Sequence, residues 1–216
     1  MKNIIFIAPP AAGKGTQSEL LQQKYQYTHI STGDMLRQAI LENSLIGQEV
    51  KAIMEKGNLV PDEIIIALIE KRLNEKKDLP FILDGFPRTL TQALSLDNIL
   101  NNLNLTNYVV IYLDINEKLA KQRILGRLTC GCGKSFNIYD EKLKPKIENI
   151  CDSCGKTLIK RSDDNEESFK IRFNNFLTNN QPILDFYQNK NKLVKIDVNR
   201  DFSFVHQEIL KVINND

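Results

Sequence analysis

The sequence predicts an α/β fold, a three-layer arrangement in which a parallel sheet carries helices on both faces. Three observations lead there. Apolar, β-branched runs bounded by turn residues recur at Asn3–Ala8, Phe81–Leu83, Tyr108–Asp114 and Leu193–Ile196. Helical periodicity fills most of the chain between them, the alternation that parallel strands and crossover helices produce. With 216 residues and 42% apolar side chains, the chain is large enough to cover both faces of such a sheet. Ligands are then expected at the carboxyl ends of the strands.

Taken in order, the first strand runs into Ala8-Pro9-Pro10-Ala11-Ala12-Gly13-Lys14-Gly15-Thr16, which opens a helix. Thr32–Asn43, Gly47–Lys56 and Asp62–Lys77 read as helices, a long excursion before the next clear strand. We take 31–60 as a small helical insert. After Tyr108–Asp114 the helical pattern returns, with Arg123 and Arg127 four apart and expected on one helical face. Residues 128–160 break the pattern with clustered Cys, Gly and Lys and no helical period, and read as a separately stabilised flap. Asp163–Gln188 is expected as a helix interrupted at Pro182, and Asp201–Ile213 closes the chain as an amphipathic helix. This leaves one unit with a core of 1–30, 61–127 and 161–216.

A formal net charge of +2 gives no global bias towards nucleic acid or membrane surfaces. The longest apolar runs, Ile4–Ala8 and Val109–Leu113, fall far short of the roughly 20 residues a bilayer requires. No cleavable leader follows Met1 and Lys2, so a cytoplasmic setting is expected. Only eight of the 29 basic residues are arginine, the better bidentate phosphate ligand, so their positions are informative.

A loop after a strand that ends in Gly13-Lys14-Gly15-Thr16 and opens a helix has the context of a phosphate-binding loop. A helix start offers unpaired N–H groups and partial positive charge, Lys14 adds a full charge, and Thr16 can reach a metal's shell. The alternative is a strand-to-helix turn whose Gly and Pro serve geometry alone. Ala8 stands where the general pattern has its first glycine, and Ala11 is a further non-glycine; alanine resists positive φ, so an altered loop is expected. Asp84 ends a buried strand, where a carboxylate needs a cation or hydrogen bonds; a hydrated magnesium ion fits, as does a cap on the turn into Gly85.

Gly13-Lys14-Gly15-Thr16-Gln17, Ser31-Thr32-Gly33-Asp34-Met35-Leu36-Arg37 and Asp84-Gly85-Phe86-Pro87-Arg88-Thr89 occur in the order and approximate spacing of the adenylate kinases. The resemblance spans nearly the whole chain. It continues through Gly57-Asn58-Leu59-Val60-Pro61-Asp62, Gln92, Arg123 to Arg127, and Arg161-Ser162-Asp163-Asp164 with Arg172. It implies that 31–60 is an AMP-binding insert and 128–160 a lid over ATP. AMP would be held by Thr32, Arg37, Asn58, Leu59, Val60, Gly85, Phe86, Pro87, Arg88 and Gln92, with Arg161 and Arg172. ATP would be held by Ala11, Ala12, Gly13, Lys14, Gly15 and Thr16, by Arg123 and Arg127, by Ser135 and Phe136 of the lid, and by Arg200. Gln92 has a donor and an acceptor for a base edge. Thr32 as a helix cap, Arg37 as a surface charge, Gln92 as an exposed amide and Phe136 as the lid's own core are the bland readings.

The implied chemistry is Mg²⁺-dependent phosphoryl transfer from ATP to AMP, giving ADP. Its loose transition state needs in-line positioning and spread positive charge, here Lys14, Arg88, Arg123, Arg161 and Arg172, with magnesium held through water near Thr16 and Asp84. An AMP phosphate oxygen is already ionised, so no general base is needed; His29 and His206 are read as structural or solvent-facing. The lid would exclude water from the donor.

All four cysteines lie in the lid, as Cys130-Gly131-Cys132 and Cys151-Asp152-Ser153-Cys154. Paired knuckles in a segment with little core fit a structural zinc site, with disulfides or free thiols as the alternatives. The first pair departs from the family's C-x-x-C: Thr129 stands where the first cysteine is usual, and a shortened knuckle needs an unusual turn at Gly131 and Gly133. The competing functions are a kinase for UMP, CMP or GMP, a non-catalytic nucleotide switch, and a zinc-ribbon nucleic-acid binder. Asn189-Lys190-Asn191-Lys192 lacks the final acid of a guanine-binding motif. A monomer without nucleic-acid or membrane partners is expected.

Overall fold

The computed structural model describes residues 1–76 and 79–214. In chain order its elements are β1 (Asn3–Ile7), α1 (Lys14–Tyr25), β2 (Thr28–Ser31), α2 (Thr32–Leu41), α3 (Leu45–Glu55), α4 (Asp62–Lys76), β3 (Phe81–Asp84) and α5 (Leu90–Asn102). β4 (Tyr108–Asp114), α6 (Glu117–Leu125), β5 (Arg127–Thr129), β6 (Ser135–Asn137), α7 (Glu166–Asn189), β7 (Leu193–Asp197) and α8 (Phe202–Asn214) follow. Lys77, the predicted last residue of α4, and Asp216, the last of the predicted core, lie outside the described residues.

Five strands form one parallel sheet in the order β2-β3-β1-β4-β7. Each residue of the central β1 is buried, as a strand covered on both faces requires. Its side chains alternate. Ile5 and Ile7 join the cluster with Leu83, Val110, Ile69 and Leu96, whereas Ile4 and Phe6 join Ile82, Ile111, Leu21 and Ile209. Helices α2 to α5 thus cover one face and α1, α6 and α8 the other, while α7 contributes Phe169 and Phe173 to the second cluster and Ile183 and Tyr187 to the first. The register sets Phe6 beside Asp84 and Ser31 beside Asp84. The carboxyl ends of β1, β2 and β3 therefore emerge side by side, and the loops after them share one rim.

Strand β2 is an element the periodicity did not predict. Only Ile30 of Thr28–Ser31 is fully buried, because the strand lies at the sheet edge and has few apolar residues to signal it. The helix predicted to break at Pro182 runs through it from Glu166 to Asn189. Pro182 and Thr178 are both exposed, so water can satisfy the carbonyl that loses its partner. The shared helical face expected for Arg123 and Arg127 is also corrected: α6 ends at Leu125, Gly126 caps it, and Arg127 opens β5.

Within 31–60, α2 and α3 form a hairpin with Ser31 and Ser44 as N-caps, each accepting a hydrogen bond from the backbone three residues on. Within 128–160, β5 and β6 pair antiparallel, and Thr129 bridges to Ile159 and Ile150 to Thr157. The core of this small unit is Cys130, Phe136, Cys151 and Leu158, with Leu128 against it. It meets the rest of the chain through Lys134–Glu19 at 2.6 Å and Lys142–Asp201 at 2.5 Å.

Candidate active site

The loop from Ala8 to Gly13 turns the chain from the end of β1 into α1. Gly13 is the N-cap at φ 93° and makes no side-chain cap, so the first-turn N–H groups of Lys14, Gly15 and Thr16 remain for a ligand. Ala11 adopts φ 59°, a left-handed conformation that costs an alanine about 1–2 kcal/mol. Of the two alanines the sequence flagged, Ala11 carries that strain; Ala8 has a negative φ. Lys14 Nζ donates to the carbonyls of Ala8 and Pro9, each at 3.1 Å, which folds the ammonium back over its own loop.

A cleft of about 570 Å³ opens in front of this loop. Ala11, Ala12, Gly13, Lys14, Gly15 and Thr16 line its floor, and Ser135, Phe136, Arg127 and Arg123 its roof. Phe136 belongs to the flap's core and also lines the cleft. Arg200 reaches the rim, but its guanidinium lies 4.8 Å from the Phe204 ring centroid and 3.7 Å from Asp197. Thr16 and Asp84 line the same space.

A smaller pocket of about 60 Å³ adjoins it. Of the residues predicted there, Thr32, Arg37, Asn58, Leu59, Val60, Gly85, Arg88, Gln92 and Arg172 line it; Leu36 from the second motif, and Met54 and Ile65, which no motif marked, supply apolar walls. Thr32 Oγ1 donates to the Gly85 carbonyl at 3.0 Å, while Ser31 makes the cap once considered for Thr32. Gly85 has φ 84°, and a Cβ there would meet Thr32 Oγ1 at 2.7 Å and an Arg88 nitrogen at 2.9 Å, so this turn excludes side chains. Three expectations change. Gln92 is buried, with Oε1 accepting from the Arg88 N–H at 2.7 Å and Nε2 donating to Asp62 at 2.7 Å, which leaves one lone pair and one N–H for a base. Phe86 is wholly buried in the core, and Pro87 lines an adjoining cavity. Arg161 lines the large cleft beside Arg37, Arg88 and Arg172, which line both spaces.

Electrostatics tie the two spaces together. Desolvation brings Lys14 down to about 8; Asp84 opposes the fall, and Arg88, Arg172 and Arg127 add to it. Asp84 is held down to about 2, since the approach of His29 and the charges of Lys14 and Arg88 outweigh its burial. His29 Nε2 stands 3.4 Å from Asp84, so this histidine is the carboxylate's partner and not solvent-facing. His206 is structural, its Nδ1 2.9 Å from Gln17 Oε1. Arg127 is bonded to the buried Asp164 through Nε at 2.7 Å and through a second nitrogen. Arg172 meets Asp163 at 2.7 Å, and Arg161 lies 3.8 Å from Asp34. Desolvation and neighbouring arginines bring both Arg161 and Arg172 to about 10.

A helix start with an inward lysine, a second pocket one loop away and a ring of arginines between them form a site for two phosphate-bearing ligands. Comparison with known proteins agrees. The family model for adenylate kinase matches residues 6–192. The chain is 40% identical to an adenylate kinase of Clostridium tetani, with 98% of each chain covered. It is 41% identical to one of Kosmotoga olearia, 99% of each covered, and 41% identical to one of Fervidobacterium nodosum, covering 99% of this chain and 96% of the relative. The chain belongs to the adenylate kinase family. It is a nucleoside monophosphate kinase, and the family implies Mg²⁺ with the nucleotide. Among the described residues, no helix is long and apolar enough to cross a membrane.

Adenylate kinase chemistry does not require the four cysteines, yet they converge. Their sulfurs all lie within 4.8 Å of one another, with Cys130–Cys154 at 3.4 Å and Cys132–Cys151 at 3.7 Å. A zinc ion with about 2.3 Å bonds to four thiolates sets sulfurs about 3.8 Å apart, whereas a disulfide needs about 2.05 Å. The four thiols are free, and their arrangement fits a metal. Gly133 at φ 96° makes the turn that lets the shortened Cys130-Gly131-Cys132 knuckle bring both sulfurs to one centre.

Two predictions follow from the loop. Ala11→Gly should remove the left-handed penalty, offset partly by a more flexible unfolded chain, for a net gain of about 1 kcal/mol; thermal unfolding should shift upward by about 2–4 °C, and an unchanged or lower midpoint would contradict the strain. Lys14, near 8 in the free protein, should rise when a polyphosphate binds. ATP binding at pH 8.5 should therefore take up a fraction of a proton, an uptake that fades as pH falls below 7, where Lys14 is already charged. Calorimetry in buffers of different ionisation enthalpy measures it, and Lys14→Met should abolish it.

Proposed function

We propose that the chain transfers the γ-phosphoryl group of ATP reversibly to AMP, giving ADP from both, with ATP in the large cleft and AMP in the small pocket. The observation that carries this reading is the set of arginines shared between the two spaces: Arg37, Arg88 and Arg172 line both. Only a reaction that brings two phosphate chains together has use for such a boundary.

In this reading the N–H groups of Gly13 to Thr16 cradle the donor β-phosphate, and Lys14, oriented by the Ala8 and Pro9 carbonyls, meets the moving group with its remaining N–H. Arg88 and Arg37 present forks to the AMP phosphate. An oxygen of that phosphate attacks the γ-phosphorus in line, the bond to the β,γ-bridging oxygen breaks, and charge on the equatorial oxygens is met by Lys14, Arg88, Arg123, Arg161 and Arg172. Thr16 and Asp84, whose low pKa keeps it anionic, would hold the hydrated Mg²⁺ that comes with ATP, and the ion would supply neutralisation of donor charge. The adenine of AMP lies among Leu36, Met54, Val60 and Ile65, with the remaining lone pair and N–H of Gln92 at its edge. The unit at 128–160 acts as a lid that excludes water, and Cys130, Cys132, Cys151 and Cys154 would hold a zinc ion in a structural role, since four thiolates would leave it no site for chemistry. We place the enzyme in the cytoplasm as a monomer, with nucleotides as its partners and neither nucleic acid nor membrane.

Mixing ATP, AMP and Mg²⁺ should produce ADP, and Lys14→Ala should slow it about 10²–10³-fold or more. Faster turnover with UMP, CMP or GMP would instead assign another acceptor. For the lid, elemental analysis of reduced, metal-replete protein should find stoichiometric zinc, and Cys151→Ser should lose it and expose 128–160 to protease; metal-free wild type with an intact lid would defeat the zinc assignment.

A further inference from the structure

The carboxylate-bound arginines that line the large cleft differ in how firmly their partners are fixed. Asp164 is wholly buried against Arg127, and Asp163, 14% exposed, is held against Arg172. Asp34 is 55% exposed. It stands in the first turn of α2, where Ser31 Oγ ties its backbone N–H at 3.2 Å and leaves the side chain able to turn. Its Oδ1 nevertheless lies 2.5 Å from Arg37 and 3.8 Å from Arg161, so one carboxylate oxygen serves two guanidinium groups from different parts of the chain.

Two like-charged groups near each other in a cleft of reduced dielectric need an anion between them. Burial depresses Arg161 most, Arg127 and Arg37 add to the fall, and Asp34 opposes it. A phosphate monoester does the same work better. It carries more charge than a carboxylate and three terminal oxygens, enough for each guanidinium to make its own charge-assisted hydrogen bonds. A neutral nucleoside offers no replacement anion.

We propose that Asp34 is the displaceable counter-ion of the acceptor site: it holds Arg37 and Arg161 while the site is empty, and the phosphate of the incoming nucleoside monophosphate takes its place. The proposal rests on the assignment of Arg37 to the acceptor phosphate made above. Asp34 is then a specificity residue that touches no nucleoside atom. It raises the cost of acceptor binding and gates that cost on a phosphate, because only a ligand carrying one replaces the contacts that Asp34 gives up.

The test compares wild type with Asp34→Asn and Asp34→Ser in the full chain, by calorimetric titration with AMP, with adenosine and with inorganic phosphate, alongside KM for each nucleotide. Both variants should bind AMP and inorganic phosphate about threefold to tenfold more tightly, with adenosine affinity and KM for ATP unchanged and KM for AMP lowered. Unchanged or weaker AMP binding in both variants would overturn the proposal, showing that Asp34 orients Arg37 for the acceptor; so would a parallel tightening of adenosine, which would mean a reshaped pocket. Arg37→Ala separates the two layers. If it leaves AMP affinity intact, the acceptor assignment fails and this proposal with it; if it weakens AMP binding while the Asp34 variants do not tighten it, only the counter-ion role fails.

Discussion

Lys14, Arg37, Arg88, Arg123, Arg127, Arg161 and Arg172 all line one cleft, and the mutual repulsion of those cations is the constraint on which the rest of the molecule depends. The chemistry needs the charge, because a phosphoryl group in flight spreads negative charge over its equatorial oxygens. The fold must tolerate the same charge with no nucleotide present. Burial first, and then the neighbouring cations, bring Lys14 to about 8 and Arg161 and Arg172 to about 10, and Asp34, Asp84, Asp163 and Asp164 stand among the cations. Substrate phosphates complete a balance that the carboxylates only begin.

A parallel sheet is well suited to assembling such a site. Its register brings the carboxyl ends of β1, β2 and β3 to one rim, so the loop into α1, the start of α2 and the turn at Gly85 become neighbours although the sequence separates them widely. Helix N-termini point at the same place, and their partial positive charge adds to that of the side chains. Helix α7 ties the rim to the base of the sheet: Asp163 and Asp164, just before it, hold Arg172 and Arg127, while Ile183 and Tyr187 pack in the core below.

Much of this was legible in the sequence because it depends on local pattern. β1, β4 and β7 announce themselves as apolar runs, and the loop before Lys14 by its glycines. What could not be read depends on tertiary placement. β2 was hidden because an edge strand buries one side chain in four. His29 became the partner of Asp84 only through the pairing of β2 with β3. Gln92 has the right atoms for a base edge, but Asp62 and the Arg88 N–H, brought near by the fold, already engage both ends of its amide. Helical spacing assigned Arg127 to a face it does not share with Arg123, because Gly126 ends the helix between them.

The cations divide by the kind of acceptor that holds them, and the division follows the chemistry. Arg37, Arg127, Arg161 and Arg172 face carboxylates. Lys14, Arg88 and Arg123 are held by backbone carbonyls, those of Ala8 and Pro9, Gly85 and Val198. A carbonyl fixes a donor's direction while carrying only a partial charge, so the cation's field towards the cleft is little reduced; a carboxylate fixes direction and cancels much of that field. Groups meant to stabilise a transient charge should be oriented but not neutralised, since a preorganised cation must not spend the transition state releasing a counter-ion. Groups meant to capture a stable phosphate can exchange one anion for another. On this argument Lys14, Arg88 and Arg123 are ready for the moving phosphoryl group from the start, and in the proposed reaction Arg161 and Arg172 join them once substrate phosphates replace their carboxylates.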